Sequence, residues 1–147
     1  MCNLGYSFSA DVAILTVPPP LVVTEEDEGS VERMACFYVA VNRPRDREVV
    51  YQLVFSNMST ATYGVDFEVY PLNVTVPTNF DEDVFMSCVR VAILGDDVVE
   101  EDEIIRYRTE PLYMQDRVNG SDVLIVTIID EDGKKELASS ILKSNGV

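Results

Sequence analysis

Apolar and polar residues alternate with a period of two along most of the chain, and a helical period hardly occurs. Successive side chains of a strand point to opposite faces, so this alternation predicts strands with one buried face. Val, Ile, Tyr, Phe and Thr, which strands favour, are frequent in the alternating segments. We predict seven strands, at about residues 12–24, 33–42, 47–56, 67–77, 84–94, 103–112 and 122–129.

Turn-forming residues separate these segments, as in "NRPRD", "SNMSTATYG", "PTNFDED" and "RVNGSD". Short strands at such spacing indicate an antiparallel β-sandwich. Pro18–Pro20 cannot lie within a sheet ladder, so the first strand is expected to switch sheets there or to start late. The segment "LIVTII" at 124–129 is apolar on both faces, which is typical of a central strand.

Length and composition suit one packed domain. The chain has 147 residues, of which 47% are hydrophobic. We predict an N-terminal extension at 1–11, a sandwich at 12–132, and a linker or short helical tail at 133–147. No apolar run approaches the length of a membrane span, and the first residues lack the basic region of a signal peptide. We therefore interpret the chain as a fragment of a longer protein.

Charge and residue content exclude several functions. The net charge is −15, which argues against a nucleic-acid partner because binding needs clustered Lys and Arg. The chain has no His, which removes His-dependent nucleophilic catalysis and the usual imidazole zinc ligands. A carboxylate pair for glycoside hydrolysis is considered, but no Trp and no aromatic-lined cleft support it. We expect a protein that is not an enzyme.

The three cysteines are Cys2, Cys36 and Cys88, an odd number that does not describe a disulfide framework. The separation of Cys36 and Cys88 resembles an immunoglobulin pair. The alternation turns both side chains away from the core, so we do not expect a bridge between them.

Three tripeptides match the acceptor for N-linked glycans, at Asn57, Asn73 and Asn119. They favour an extracellular setting weakly, because such tripeptides also occur by chance. Asn73 falls in a predicted strand, where a glycan would be awkward.

The acidic residues are concentrated in four places. Counting the strands up and down alternately sends all four groups to one end of the sandwich. Unit charges ~4 Å apart repel by ~4 kcal/mol at an effective dielectric constant near 20, so a cluster needs a neutralising partner. Hard oxygen ligands without His or thiolate select Ca²⁺. The alternatives are an ordinary acidic surface or a strand count that is off by one. The four groups are Glu25 to Glu28, Asp66, Asp96 to Glu103, and Asp130 to Asp132.

The segments "STATYGVDFEV", "VRVAILGDDVVEEDEII" and "VTIIDEDG" resemble a Calx-beta domain in content, order and spacing. The resemblance covers about residues 20–132 and implies a seven-stranded immunoglobulin-like sandwich with calcium ions at one end. Such domains occur in sodium–calcium exchangers, an integrin beta subunit, adhesion receptors, matrix proteins and aggregation factors. The calcium ligands that the resemblance implies are Glu26, Asp66, Asp96, Asp97, the backbone carbonyl of Val98, Glu100, Glu103, Asp130, Glu131 and Asp132.

Two positions depart from the family pattern. Gly95 stands where calcium-rich exchanger domains have a third Asp, and Glu131 replaces an Asp. We therefore expect fewer ions than in the fullest members of the family.

We expect a calcium-binding module of an extracellular or membrane-associated adhesion or matrix protein. Its partners are calcium ions, neighbouring domains and other adhesion proteins, without membrane insertion. The alternatives are an intracellular calcium sensor of an exchanger-like membrane protein, favoured mildly by unpaired cysteines, and a calcium-free structural spacer.

Overall fold

The computed structural model describes residues 12–26, 29–41, 47–96 and 99–130, and its regular elements are β-strands. Within these ranges no helix is long and apolar enough to cross a membrane. The strands are β1 (Ala13–Thr16), β2 (Leu21–Thr24), β3 (Ser30–Val41), β4 (Val49–Phe55), β5 (Phe67–Tyr70), β6 (Asn73–Val76), β7 (Val84–Leu94), β8 (Glu103–Pro111), β9 (Arg117–Val118) and β10 (Val123–Ile129).

The strands form two five-stranded sheets, with the orders β5-β7-β3-β1-β9 and β2-β10-β8-β4-β6. Neighbours are antiparallel except for the β1–β9 and β2–β10 pairs, which are parallel. The chain passes from the first sheet to the second between β1 and β2, where Pro18–Pro20 interrupt the ladder. The predicted switch of sheets is confirmed, and so is the internal position of β10.

The core lies between the sheets and is built from the inward positions of each strand. Its largest fully buried side chains are Tyr51, Tyr107, Phe37 and Phe67. The predicted all-β sandwich is confirmed. Seven predicted segments become ten strands because the first divides at its prolines, the fourth divides at Pro71, and β9 adds two residues.

Cys36 and Cys88 form a disulfide across β3 and β7, with an S–S distance of 2.04 Å. The prediction that they are not bridged is wrong. The alternation did place both on the outer face of the first sheet, where each is half-buried. They are also direct partners in the β3–β7 register, and facing residues on antiparallel strands have adjacent Cβ atoms. The bridge lies within one sheet, unlike the immunoglobulin disulfide between two sheets.

A buried ion pair ties together the loops before β4 and β9. The Asp116 side chain is fully buried, and both its oxygens accept hydrogen bonds from Arg47, at 3.0 and 3.1 Å. Asp116 Oδ1 also accepts from the backbone N–H of Ala13, at 3.2 Å. The Arg47 guanidinium lies 4.5 Å from the ring centroid of Tyr113. This pair therefore fixes the start of β1 against two loops.

Candidate metal centre

Carboxylates from distant parts of the chain meet at one end of the sandwich. Glu25 follows β2, Asp96 follows β7, and Glu100 precedes β8. One oxygen from each of these three lies within 4.8 Å of the others. A second group within the same limit contains Asp66, Glu100 and Glu103. The two groups share Glu100, so they form one continuous cluster, which we call the acidic end.

A tight turn before β5 fixes the position of Asp66. Its Oδ2 accepts a hydrogen bond from the backbone N–H of Thr62 at 2.7 Å, and its own N–H donates to the Thr62 carbonyl at 2.8 Å. Gly64, inside the turn, has a φ of +83°, a conformation that glycine adopts without a steric penalty. The carboxylate is therefore held by the backbone and is 8% exposed.

Asp130 links the end of β10 to the loop that precedes β8. Its backbone N–H donates to Oδ1 of Asp102 at 3.0 Å, and its own Oδ2 accepts from the backbone N–H of Glu100. The Glu25 N–H donates to the Ile129 carbonyl at 3.1 Å. These bonds hold three acidic segments together at one end of the second sheet.

Gly95 lies where two backbones approach closely. A Cβ at this position would lie 1.8 Å from the carbonyl oxygen of Glu26 and 2.8 Å from its carbonyl carbon. The Gly95 N–H also donates to the Gly29 carbonyl at 2.9 Å. No side chain fits at position 95 without moving one of these backbone segments, so the local packing explains why this chain lacks an Asp there.

Burial and neighbouring charge raise the pKa of two carboxyl groups of the acidic end, Glu25 and Glu103. Burial, a hydrogen bond to Asp130 and the charges of Asp130, Asp96 and Glu100 raise the pKa of Glu25 to about 8. Burial and the neighbouring carboxylates, Asp66 first, raise the pKa of Glu103 to about 7. Within the described residues, no group donates a hydrogen bond to the buried Oε1 of Glu25. The acidic end therefore combines mutual repulsion of carboxylates with one buried oxygen that accepts no hydrogen bond from the described residues.

The Calx-beta domain family matches residues 9–132. The chain belongs to the Calx-beta family. A search of the curated proteins finds no match. Among solved structures, the chain is similar to the apo form of the Calx CBD1 domain, with a TM-score of 0.60 and 22% identity over 82% of this chain and 98% of that one.

Two further structures share the Calx-beta fold. The calcium binding domain CBD12 of CALX1.1 has a TM-score of 0.58 and 22% identity over 80% of this chain. The chain spans 44% of that protein, less than half its length. The Calx CBD2 domain has a TM-score of 0.54 and 15% identity over 88% of this chain and 93% of that one. At these identities the likeness shows the fold.

The acidic end of this Calx-beta domain fits calcium chemically. The side chains of the two carboxylate groups offer only oxygen ligands, which hard cations prefer, and they lie in or beside loops, which suit the flexible six- to eight-ligand geometry of Ca²⁺. The orphaned Oε1 of Glu25 is the observation that favours a cation over a simple acidic surface.

The structure brings together most of the predicted ligands that it describes. Asp66, Asp96, Glu100 and Glu103 lie in the two carboxylate groups, and Asp130 adjoins them through its hydrogen bond to Glu100. Asp97, Val98, Glu131 and Asp132 lie outside the described residues, so their ligand roles stay predictions.

The two glutamates that follow β2 are placed differently, and the ligand role of Glu26 stays a prediction. Glu26 is exposed and belongs to neither carboxylate group, whereas Glu25 is 6% exposed and faces the cluster. The alternation along β2 accounts for this, because Val23 points inward and Glu25, two residues later, continues on the same face. Extending the period of two beyond the strand would have identified Glu25 from the sequence.

The raised pKa values predict that the metal-free domain loses stability as the pH rises. The ordinary pKa of a Glu is 4.5, so between about pH 4.5 and pH 8 the folded state binds more protons than the unfolded chain. The free energy of unfolding in EGTA, measured by urea denaturation, should therefore decrease across this window. The variant Glu25→Gln/Glu103→Gln should show a flatter profile. A free energy of unfolding that increases with pH in the wild type but not in this variant would contradict the raised pKa values of Glu25 and Glu103.

Proposed function

We propose that the chain is a calcium-binding Calx-beta module of a larger extracellular or membrane-associated adhesion or matrix protein. In this proposal Ca²⁺ binds the acidic end and stiffens both the domain and its junction with the next one. The observation that carries the proposal is the pair of carboxylate groups joined through Glu100, with a buried carboxylate oxygen that lacks a donor.

The shared position of Glu100 supports two adjacent ions. One ion would be held by Glu25, Asp96 and Glu100, and a second by Asp66, Glu100 and Glu103. A carboxylate has two oxygens and can bridge two calcium ions. The bound ions would supply the positive charge that offsets repulsion within the cluster. The further ligands that we propose are Glu26, Asp97, Val98, Asp130, Glu131 and Asp132.

The ligands come from both sheets, which is why calcium would stiffen the domain. Asp66 and Asp96 flank β5 and β7 of the first sheet, and Glu103 begins β8 of the second. An ion that contacts ligands on both sheets would couple them at this end. Asp130 directly follows β10, so the same ions would also order the chain beyond this strand, at the junction with a following domain.

The disulfide supports the extracellular setting. Disulfides persist in oxidising compartments and are rare in the cytosol. Cys36 and Cys88 are bridged, so they no longer favour the intracellular alternative, a calcium sensor in an exchanger-like membrane protein. The acceptors at Asn57, Asn73 and Asn119 are all exposed, which agrees with the same setting.

Thermal melting in EGTA and then in calcium tests the binding proposal. Calcium at about 100 times its Kd adds ~2.7 kcal/mol, which should raise the Tm by about 5–10 °C for a domain of this size. Glu100→Gln should remove nearly all of this increase because both ions lose a ligand. Glu103→Gln should remove only part of it.

A matched carboxylate at the opposite end provides the control. Asp81 is exposed in the turn between β6 and β7, and Asp81→Asn should leave the calcium-dependent increase intact. An unchanged Tm at about 5 mM Ca²⁺ in the wild type would favour the calcium-free spacer. An equal loss in Asp81→Asn would show that calcium acts through the overall charge rather than through the proposed site.

A further inference from the structure

The acceptor tripeptide Asn73-Val-Thr75 lies on β6 with its two functional residues on the outer face. Val74 is buried in the core, while Asn73 is exposed and Thr75 is half-buried, as the period of a strand requires. The Thr75 hydroxyl donates to Oδ1 of Asn73 at 3.4 Å. The side-chain nitrogen of Asn73 therefore belongs to a solvent-facing group, and a large substituent there would not enter the core.

β6 is an edge strand of the second sheet. It pairs with β4 through four residue pairs, from Val49–Val76 to Gln52–Asn73, and no strand follows it in the sheet order of the described residues. Edge strands present a row of backbone groups to which another chain can add, and proteins commonly protect such edges. The strand "NVTV" contains no charged residue that could repel a partner.

We propose that Asn73 is N-glycosylated and that the glycan shields the β6 edge from pairing with other chains. The proposal rests on the secretory setting proposed above, but not on calcium binding. A glycan on a strand can clash with the side chains of neighbouring strands. Asn73 points outward on an edge strand, so this steric problem does not arise there. A glycan is bulky and well hydrated, so it hinders the close backbone approach that strand addition needs.

The modification is a group transfer from a lipid-pyrophosphate-linked oligosaccharide, catalysed by the cell's own transferase. The amide nitrogen of Asn73 forms a bond to the anomeric carbon of the first sugar. The bond from that carbon to the pyrophosphate oxygen breaks, the lipid pyrophosphate leaves, and the amide nitrogen loses one proton. No oxidant or reductant is needed.

The other two acceptors provide internal references. Asn57 and Asn119 are exposed and lie outside the ten strands. The Ser59 hydroxyl of the Asn57 tripeptide accepts from the Arg106 N–H at 2.9 Å and donates to the Arg106 carbonyl at 3.3 Å. A glycan at either position shows that the chain met the transferase, whatever happens at Asn73.

The experiment is secretion of the full chain from mammalian cells behind a cleavable signal. Peptide-N-glycosidase in H₂¹⁸O converts each glycosylated Asn to labelled Asp, and mass spectrometry then locates the label. We expect label at Asn73 in the wild type and in Thr75→Ser, which keeps the acceptor pattern. Asn73→Gln and Thr75→Ala should lack it. Sedimentation should show monomeric wild type and concentration-dependent association of Asn73→Gln.

Each outcome decides one part of the proposal. Secreted wild type with no label at Asn73 overturns the site, and label at Asn57 or Asn119 in that sample shows that the transferase acted on the chain. Label at Asn73 with monomeric Asn73→Gln and Thr75→Ala overturns the shielding role. Calcium-dependent melting of the same samples reports separately on the acidic end, so failure of one proposal is distinguishable from failure of the other.

Discussion

Asp116→Ala should lower the free energy of unfolding by about 3–5 kcal/mol, the typical cost of removing one partner from a buried ion pair. The Arg47 guanidinium would lose two hydrogen bonds, and the Ala13 N–H would lose its acceptor. Neither the guanidinium nor the N–H regains full hydration, because the pair is largely buried. Urea denaturation of the wild type and the variant at the same pH measures the difference.

An exposed ion pair in the same domain provides the control. Arg108 and Glu110 contact each other on the surface, with side chains 47% and 44% exposed. Glu110→Ala should cost less than about 1 kcal/mol, as exposed pairs usually do. The double variant Arg47→Met/Asp116→Leu should be more stable than Asp116→Ala alone because no charge is left unpaired. Equal costs for Asp116→Ala and Glu110→Ala would show that burial of the pair contributes nothing.

Gly95→Ala should both destabilise the domain and remove part of its response to calcium. The added methyl group would meet the Glu26 carbonyl oxygen at 1.8 Å, so the backbone after β2 or after β7 must move. Overpacking of this kind costs about 1–3 kcal/mol. The same movement displaces Glu25 and Asp96, which supply ligands to one proposed ion. Melting in EGTA and in calcium separates the two effects.

Gly120 is the matched glycine at a distance from the acidic end. It has a φ of +73°, and a Cβ added there would have no heavy atom within 4 Å, so Gly120→Ala is strained by its conformation alone, at about 1–2 kcal/mol. We expect Gly120→Ala to have a lower Tm than the wild type in EGTA and to show the full increase in Tm with calcium. If Gly95→Ala also keeps the full gain, the close approach to Glu26 is not needed for the site.

The strand pattern could be predicted because alternation along a half-buried strand is a local property. The predicted ends of β7 coincide with the observed ones, and the predicted ends of β4, β8 and β10 differ from the observed ends by at most about two residues. The division of the fourth segment was missed even though Pro71, which lacks a backbone N–H, marks it. The two halves lie in different sheets, and which sheet a strand joins depends on contacts that are remote in sequence.

The convergence of the acids followed from counting strands, whereas the detail of the cluster did not. Asp66, Asp96, Glu100 and Glu103 meet as the count predicts. The hydrogen bond from the Asp130 N–H to Asp102 joins residues 28 apart, and no spacing rule identifies it. The strand count sends Glu25 to this end with its neighbours, but only the alternation along β2 distinguishes its buried side chain from the exposed one of Glu26.

The disulfide was missed for a different physical reason. Facing of Cys36 and Cys88 depends on the register of β3 against β7, which a shift of one residue would remove. The alternation predicts the outward orientation of both side chains, but it carries no information about the register of the two strands. Alternation along one strand shows which face of the sheet a residue occupies, but it does not show which residue of the neighbouring strand lies opposite.

The Cys36–Cys88 bridge also determines how the domain would behave under tension. A force applied between the two ends of the chain passes from one cysteine to the other through the bridge, and the 52-residue separation between them is bypassed. A fully extended segment of that length would span about 170–190 Å. This segment does not extend under force even if the strands around it unfold. In a chain of such domains, the bridge therefore reduces the maximum extension of each domain under force.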